Sequence, residues 1–314
     1  MKKWLFWGTV IVLLCILPWS LKDYTLFVLS LSLVYSIMAI GLNITLGYAG
    51  QISLCHAAFM GIGAYTTAIM ITHGWSFWLS LPLAGFLACF FGALIGFPAL
   101  KWKDHYLALV TLAFNIISFL VMQHEKWLTG GPTGITNIPR PSIGPLKLAS
   151  AVNYYYLLLF FVILAILSSY WIIRSKWGRA FTAIRQNELA AKSHGVNLRQ
   201  YKLLAFAIGA FYAGIGGSLF ASLLKYINPE AFTFFVSFEF LIMVVIGGMG
   251  RIEGPIIGAL IITMGPEILR VAESFYLIIY SLILILVMLF MRKGFVGVVD
   301  RIREWIPALA RTNR

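Results

Sequence analysis

Between Gly41 and Tyr65 the chain reads GLNITLGYAGQISLCHAAFMGIGAY, where glycines, two amides, a serine and a histidine interrupt residues that would otherwise dissolve in lipid. Asn43, Gln51, Ser53 and His56 bring hydrogen-bond donors and acceptors without a permanent charge. Their chemistry is that of a hydrogen-bonding wall. Hydrocarbon has no water to pair a free N–H or C=O, so Gly-rich or irregular backbone persists at membrane depth only when buried in protein or lining a wet cavity. Asn43, Gln51, Ser53, His56 and, further along, Asn115 are therefore candidate residues of a polar path. A second reading stands beside this one, in which the same groups make helix-to-helix hydrogen bonds.

Bond-making chemistry finds no support in the residue pattern. His56, His73, His105, His124 and His194 are scattered, with no HExxH or comparable metal spacing. Cys15, Cys55 and Cys89 are odd in number and lack CxxC spacing, which points to packing rather than to a disulfide framework or a metal site. No GxxxxGK[ST] loop and no hydrophilic domain is present, so nucleotide hydrolysis is not carried by this sequence. Glu239 and Glu267 lie toward the outer ends of apolar runs. No Asp, Glu, Lys or Arg falls near the centre of any run, which argues against a proton- or sodium-coupled carrier.

The elements that hold these residues are membrane helices. The 314 residues are 61% hydrophobic and 11% charged, with mean hydropathy +0.89, far from the balance of a soluble domain. Apolar runs of about 20 residues predict ten spans, at 4–20, 26–46, 52–72, 77–99, 106–122, 154–174, 203–224, 236–249, 254–270 and 274–291. The eighth and ninth are short, and Gly254, Pro255, Gly258, Gly265 and Pro266 suit broken or re-entrant helices. The expected fold is an all-α polytopic membrane protein of about ten transmembrane helices with broken or re-entrant Gly-rich elements. It forms one domain over 1–314, with an outer loop at 123–153, a cytoplasmic loop at 175–202 and a cytoplasmic tail at 293–314.

Loop charge orients the chain. With the N-terminus inside, the inner segments hold Lys2, Lys3, Lys101, Lys103, seven cations from Arg174 to Lys202, Arg251 and six from Arg292 to Arg314. That makes 18 of the 24 Lys and Arg, against 6 outside. The bias fits the positive-inside rule and puts both termini in the cytoplasm. It also accounts for the net charge of +13 without nucleic acid. The basic, apolar N-terminus lacks a small-residue cleavage site and reads as an uncleaved first span.

Two local patterns stand out. The inner loop predicts a short helix over 188–194, N-capped by Asn187, begun by Glu188 and ended by Gly195 after Lys192 and His194. Ala180, Ala183, Ile184 and Ala191 alternate there with Arg179, Arg185, Lys192 and Arg199, the make-up of a helix that docks in a partner's groove or of a basic linker at the membrane surface. The second pattern is an echo: Gly47-Tyr-Ala-Gly50-Gln-Ile52 and Gly247-Gly248-Met-Gly250-Arg-Ile252 share GxxG-[QR]-I. Repeat-built transporters place interrupted helices in matching positions of two halves. Gly47, Gly50, Gly61, Gly63, Gly247, Gly248, Gly250 and Gly254 are the expected break-point glycines.

The run from Gly41 to Ala68, the loop GRAFTAIRQNELAAKSHGVNLRQYKLLAF with AGIGGSLFA after it, the outer TGGPTGI at 129–135 and IGGMGRIEGPIIGAL meet a known pattern. Together, over about residues 30–295, they resemble the transmembrane permeases of branched-chain amino-acid ABC importers, most closely the M-type subunit. Cys55 departs from it, since relatives commonly carry glycine there. The resemblance implies a non-enzymatic permease of the bacterial inner membrane, paired with a homologous H-type permease, two cytoplasmic ATPase subunits and a periplasmic binding protein. It implies no cofactor in this chain, with ATP and Mg on the ATPases, and no nucleic-acid partner. It further implies that Arg179, Arg185, Asn187, Glu188, Ala191, Gly195 and Arg199 belong to the segment that couples to an ATPase. Urea or short amides are alternative substrates within the same family; a stand-alone channel or secondary carrier is the alternative from another class.

Overall fold

The structure is a computed structural model that describes residues 17–19, 21–99, 104–143, 146–147 and 150–269. The expected span 4–20, apart from a 3₁₀ turn at Leu17–Trp19, the span 274–291 and the tail 293–314 lie outside the described residues. In chain order the main helices are α1 (Asp23–Leu42), α2 (His56–Thr72), α3 (Phe77–Ala99), α4 (Asp104–His124), α5 (Ala151–Arg174), α6 (Lys176–Gln186), α7 (Glu188–Ser193), α8 (Leu198–Leu224), α9 (Phe234–Gly247) and α10 (Glu253–Leu269). Among the described residues five helices are long and apolar enough to cross a membrane: α1 with its continuation to Tyr48, α3, α4 from Tyr106, α5 and α8.

The centre of the bundle is set by small residues. α8 packs against α1, α2 and α3, and the run Gly209, Ala210, Ala213, Gly214, Gly216, Gly217 and Ala221 is buried, as close helix packing requires. A Cβ on Gly63 would collide with the backbone of Gly214, and one on Gly217 with the carbonyl of Met60. α2 and α8 therefore touch backbone to backbone, with the Thr67 hydroxyl donating to Ser218 at 2.7 Å across the seam. Peripheral helices turn apolar faces outward. Phe86 and Phe90 on α3 and Leu109 and Ile117 on α4 are exposed, as lipid-facing or partner-facing side chains would be.

Hydroxyls inside α1 are satisfied locally. Ser30, Ser32 and Ser36 each donate to the carbonyl four residues earlier, at 2.7, 3.0 and 2.7 Å. This is how a polar residue persists in an apolar helix. Ser32 also pairs with Thr263, fastening α10 to α1.

Three expected spans differ from a simple crossing. The third, expected from 52, becomes helical only at His56, because residues 49–55 leave helical geometry. The eighth, α9, has 14 residues, or about 21 Å of helix at 1.5 Å per residue, too short for the roughly 30 Å hydrocarbon core. It pairs with the 17-residue α10 as a tight hairpin in which Gly247 lies against Gly254 and Gly258 against Met243. The 123–153 loop is a folded cap. A helical turn at Lys126–Thr129, a 3₁₀ turn at Gly131–Thr133 and paired strands β1 (Ser142–Ile143) and β2 (Leu146–Lys147) build it. Reciprocal 3.0 Å backbone bonds between Ile135 and Ile227 tie it to the segment after α8.

The backbone contact between α2 and α8 is open to test by thermal unfolding of the purified protein in detergent. Gly63→Val should destabilise by about 1–3 kcal/mol through overpacking, whereas Leu109→Ala on the exposed face should stay within about 0.5 kcal/mol. Equal melting temperatures for Gly63→Val and the parent would remove the contact.

Candidate functional site

The polar stretch identified in the sequence is where α1 loses its α-helical geometry. From Asn43 to Tyr48 the helix widens into a π-turn, with Ala49 N–H donating to the Ile44 carbonyl at 3.1 Å; such turns interrupt the hydrogen-bond ladder and gather at functional sites. Gly50 then takes φ +72, a left-handed conformation that glycine adopts without strain, and the chain runs to the start of α2 at His56. Three N–H groups along and just after this interruption have defined partners. Gln51 N–H donates to the Thr45 carbonyl at 3.0 Å, Leu54 N–H to Thr111 Oγ1 on α4 at 3.1 Å, and Ala57 N–H to Ser237 Oγ on α9 at 2.9 Å.

The two echoing motifs meet in space. Asn43 accepts from Gly250 N–H at 2.9 Å through Oδ1 and donates to the Arg251 carbonyl at 2.8 Å through Nδ2. One amide thus clasps the turn between α9 and α10, where Gly250 has φ +77. Gly47 must lack a side chain, since a Cβ would overlap Asn43 Oδ1 and come within 2.6 Å of Gly250 N.

The remaining path candidates have distinct settings. Asn115 is fully buried; it donates to the Phe232 carbonyl at 3.1 Å and accepts from Ser237 Oγ at 2.8 Å, so α4, α9 and the start of α2 are joined through it. Ser53 Oγ lies 3.4 Å from Cys55 Sγ and 3.5 Å from His56 Nδ1. Gln51 and His56 are different: both are buried, and Gln51 Oε1 and Nε2 and His56 Nε2 have no hydrogen-bond partner among the described residues. A buried amide without partners costs about 1–3 kcal/mol relative to a paired one. Gly61 and Gly63, expected at a break, lie instead within the unbroken α2, where they admit Met122 and Gly214. Gly247 ends α9, Gly248 and Gly250 form the turn, and Gly254 lies inside α10.

The 175–202 loop sequence folds into two capped helices. Ser175 caps α6 by accepting from Trp177 N–H at 3.1 Å, and Asn187 caps α7 by accepting from Ala190 N–H at 3.1 Å. Gly195, at φ +81, closes α7 one residue earlier than the sequence suggests. Glu188 forms an ion pair with Lys202 of α8 at 2.5 Å. Phe181, Ile184 and Ala191 are buried against the bundle, whereas Leu189 is 81% exposed. Arg179 donates to the Arg174 carbonyl at 3.3 Å, and Arg199 stacks 4.0 Å over the Phe97 ring. Arg185 donates to the carbonyl of Gly47.

Thr111, Ser237, Lys202 and Leu189 were not singled out by sequence. Each is one ordinary hydroxyl, cation or leucine in a compatible helix, and only the fold gives it a partner or leaves it bare. Among the described residues no group of three or more His, Cys, Asp or Glu side chains is placed to hold a metal.

The bundle thus fastens a hydrogen-bonding break in its first helix to a structured surface loop through Arg185 and Gly47. The chain belongs to the branched-chain amino acid transport system permease component family, whose description matches residues 24–291. It is 33% identical to the high-affinity branched-chain amino acid transport system permease protein LivM of Escherichia coli, over 93% of this chain and 75% of that protein. It is 28% identical to the corresponding permease LivH of Salmonella typhimurium, over 84% of this chain and 91% of that one. The autoinducer 2 import system permease LsrC of Salmonella paratyphi B is 26% identical over 82% of this chain. No solved structure matches the chain.

The Asn43 clasp makes a local prediction. Asn43→Leu removes the side-chain acceptor of Gly250 N–H and the donor to the Arg251 carbonyl, at a cost of about 1–3 kcal/mol. Hydrogen exchange should then rise over residues 247–252 and stay unchanged in the outer cap at 129–135; unchanged protection at 247–252 would dissolve the clasp.

Proposed function

We propose that this chain is the M-type permease subunit of a bacterial importer that moves branched-chain, hydrophobic amino acids inward across the inner membrane. ATP is hydrolysed, with Mg, on two cytoplasmic ATPase subunits. A homologous H-type permease completes the path and a periplasmic binding protein delivers the substrate. The chain is not itself an enzyme and needs no cofactor. Both termini are cytoplasmic and the two outer spans bring the total to ten.

The observation that carries this reading is the loop between α5 and α8. Its two capped helices bury Phe181, Ile184 and Ala191 in the bundle while presenting Leu189 outward. An exposed leucine on a capped helix among cations is a suitable anchor for a groove on a cytoplasmic partner. The polar break supplies the other half. A zwitterion needs a donor for its carboxylate and an acceptor for its ammonium group; Gln51 provides both, and His56 Nε2 adds a further polar atom. Gln51, Ser53 and His56 carry no fixed charge of their own, so a solute bonded to them is released without breaking an ion pair to these residues. Selection then falls to the binding protein.

Reconstitution in liposomes tests the reading. The complete complex should take up leucine only with internal ATP, and nucleotide-independent flux through this chain alone would refute it. Within the working complex, Glu188→Lys breaks the brace to Lys202 and Gly195→Pro prevents the closure of α7, so both should hydrolyse ATP with little uptake. Unchanged uptake in the two would exclude the docking role. Gln51→Leu and His56→Leu should lower uptake about tenfold, equivalent to ~1.4 kcal/mol, with Ile69→Leu near wild type; equal behaviour would return Gln51 and His56 to packing.

A further inference from the structure

The guanidinium of Arg185 does not face away from the bundle with the rest of the coupling surface. It donates to the carbonyl of Gly47 in the π-turn of α1, and a Cβ placed on Gly250 would lie 2.6 Å from its Nη1 and 3.1 Å from the Gly47 carbonyl. A Cβ on Gly50 would sit 3.2 Å from Arg185 Cγ. The side chain therefore lies at the seam between the two GxxG turns, over glycines that leave room for it. No carboxylate pairs with it among the described residues. What it meets is the end of a helix, where carbonyls lack intrahelical partners and a cation is favourable.

The rest of α6 makes this contact a lever. Phe181 and Ile184 hold α6 to the bundle, and Asn187 both ends α6, through its N–H to the Ala183 carbonyl at 3.0 Å, and caps α7. A displacement of α7 therefore reaches Arg185 through two short helices that share one residue. On the other side of the seam, Asn43 clasps the Gly250 turn to the same π-turn.

We infer that Arg185 is a positioning residue that latches the coupling helices to the paired turns at Gly47–Gly50 and Gly247–Gly250, and so transmits movement of the loop to the polar break. This rests on the permease reading. The latch is distinct from docking: Leu189 and its neighbours meet the partner, whereas Arg185, though exposed along its length, ends on the Gly47 carbonyl. Arginine suits the place because its planar fork can reach a carbonyl in one turn while lying against the other; lysine offers one point charge.

The test uses the complete complex in liposomes, measuring binding-protein-stimulated ATP hydrolysis, leucine uptake per ATP, and hydrogen exchange at residues 43–52 with and without ATP plus vanadate. Arg185→Gln should assemble with its partners and hydrolyse ATP at a rate within about twofold of wild type, while uptake per ATP falls about tenfold. The nucleotide-dependent change in exchange at 43–52 should vanish. Arg185→Lys should recover part of the coupling. Gly250→Ala, which crowds Nη1 without removing the charge, should reproduce Arg185→Gln independently, and the double variant should be no worse than either single one. Wild-type uptake per ATP together with wild-type exchange in both Arg185→Gln and Gly250→Ala overturns the latch while leaving the importer intact. If the unmodified complex shows no ATP-dependent uptake, it is the permease reading that fails.

Discussion

An unpaired carbonyl or N–H at membrane depth has nowhere to go, and between Asn43 and Cys55 this chain gives up the helix that would have paired them. Much of the inner half of the bundle is arranged around that deficit. Thr111 from α4 answers Leu54, Ser237 from α9 answers Ala57, Thr45 answers Gln51 and Arg185 from α6 answers Gly47. Four separate parts of the sequence supply these partners. The break is thus held in place by the whole fold, and an element that shifts its partner group also shifts the break. A helix could have spared the protein these contacts, but a helix has no hinge at which to move.

The same constraint explains why the helices beside the break approach so closely. Lipid tails are as apolar as leucine, so burial alone does not drive these helices together; close van der Waals contact and hydrogen bonds do. Gly63 and Gly217 bring α2 and α8 to backbone contact, and Thr67 and Ser218 bond across the seam. α2 is consequently rigid where it touches α8, while the segment before it is held by backbone bonds into the π-turn and by the Thr111 hydroxyl at Leu54. Rigid packing beside a polar junction gives movement a defined place.

Much of this was legible in the sequence where periodicity and composition speak directly. Apolar runs located the five helices that are long and apolar enough to cross a membrane, and the Asn187, Glu188 and Gly195 pattern located α7 to within one residue. The GxxG echo marked two turns without showing that they touch. What stayed hidden depends on pairing across distance. Gly61 and Gly63 read as break points because a glycine in an apolar run is the same letter whether it bends a helix or lets another helix approach. Ser237 and Thr111 carry no local signal, since an isolated hydroxyl in a membrane helix can equally bond its own backbone, as Ser30 and Ser36 do. Arg185 read as one of several outward cations because charge pattern gives no direction; only the glycines opposite reveal where it points.

Gln51 separates the structural from the functional share of the polar stretch. Asn43 and Asn115 are amides too, and both of their ends are bonded to other parts of the chain. Their polarity is accounted for by the architecture. Gln51 is equally buried, yet its side chain has no partner among the described residues, so the arrangement carries an electrostatic cost that neighbouring amides avoid. That cost is relieved in any arrangement that brings a solute or water to the amide. An interaction gained only in the rearranged state lowers that state relative to the closed one, and under the proposed latch the loop that holds Arg185 against Gly47 would set when the rearrangement occurs. On the permease reading, a wall that favours opening weakly and is held shut by such a contact would need a partner's energy only to release the latch and to reset it.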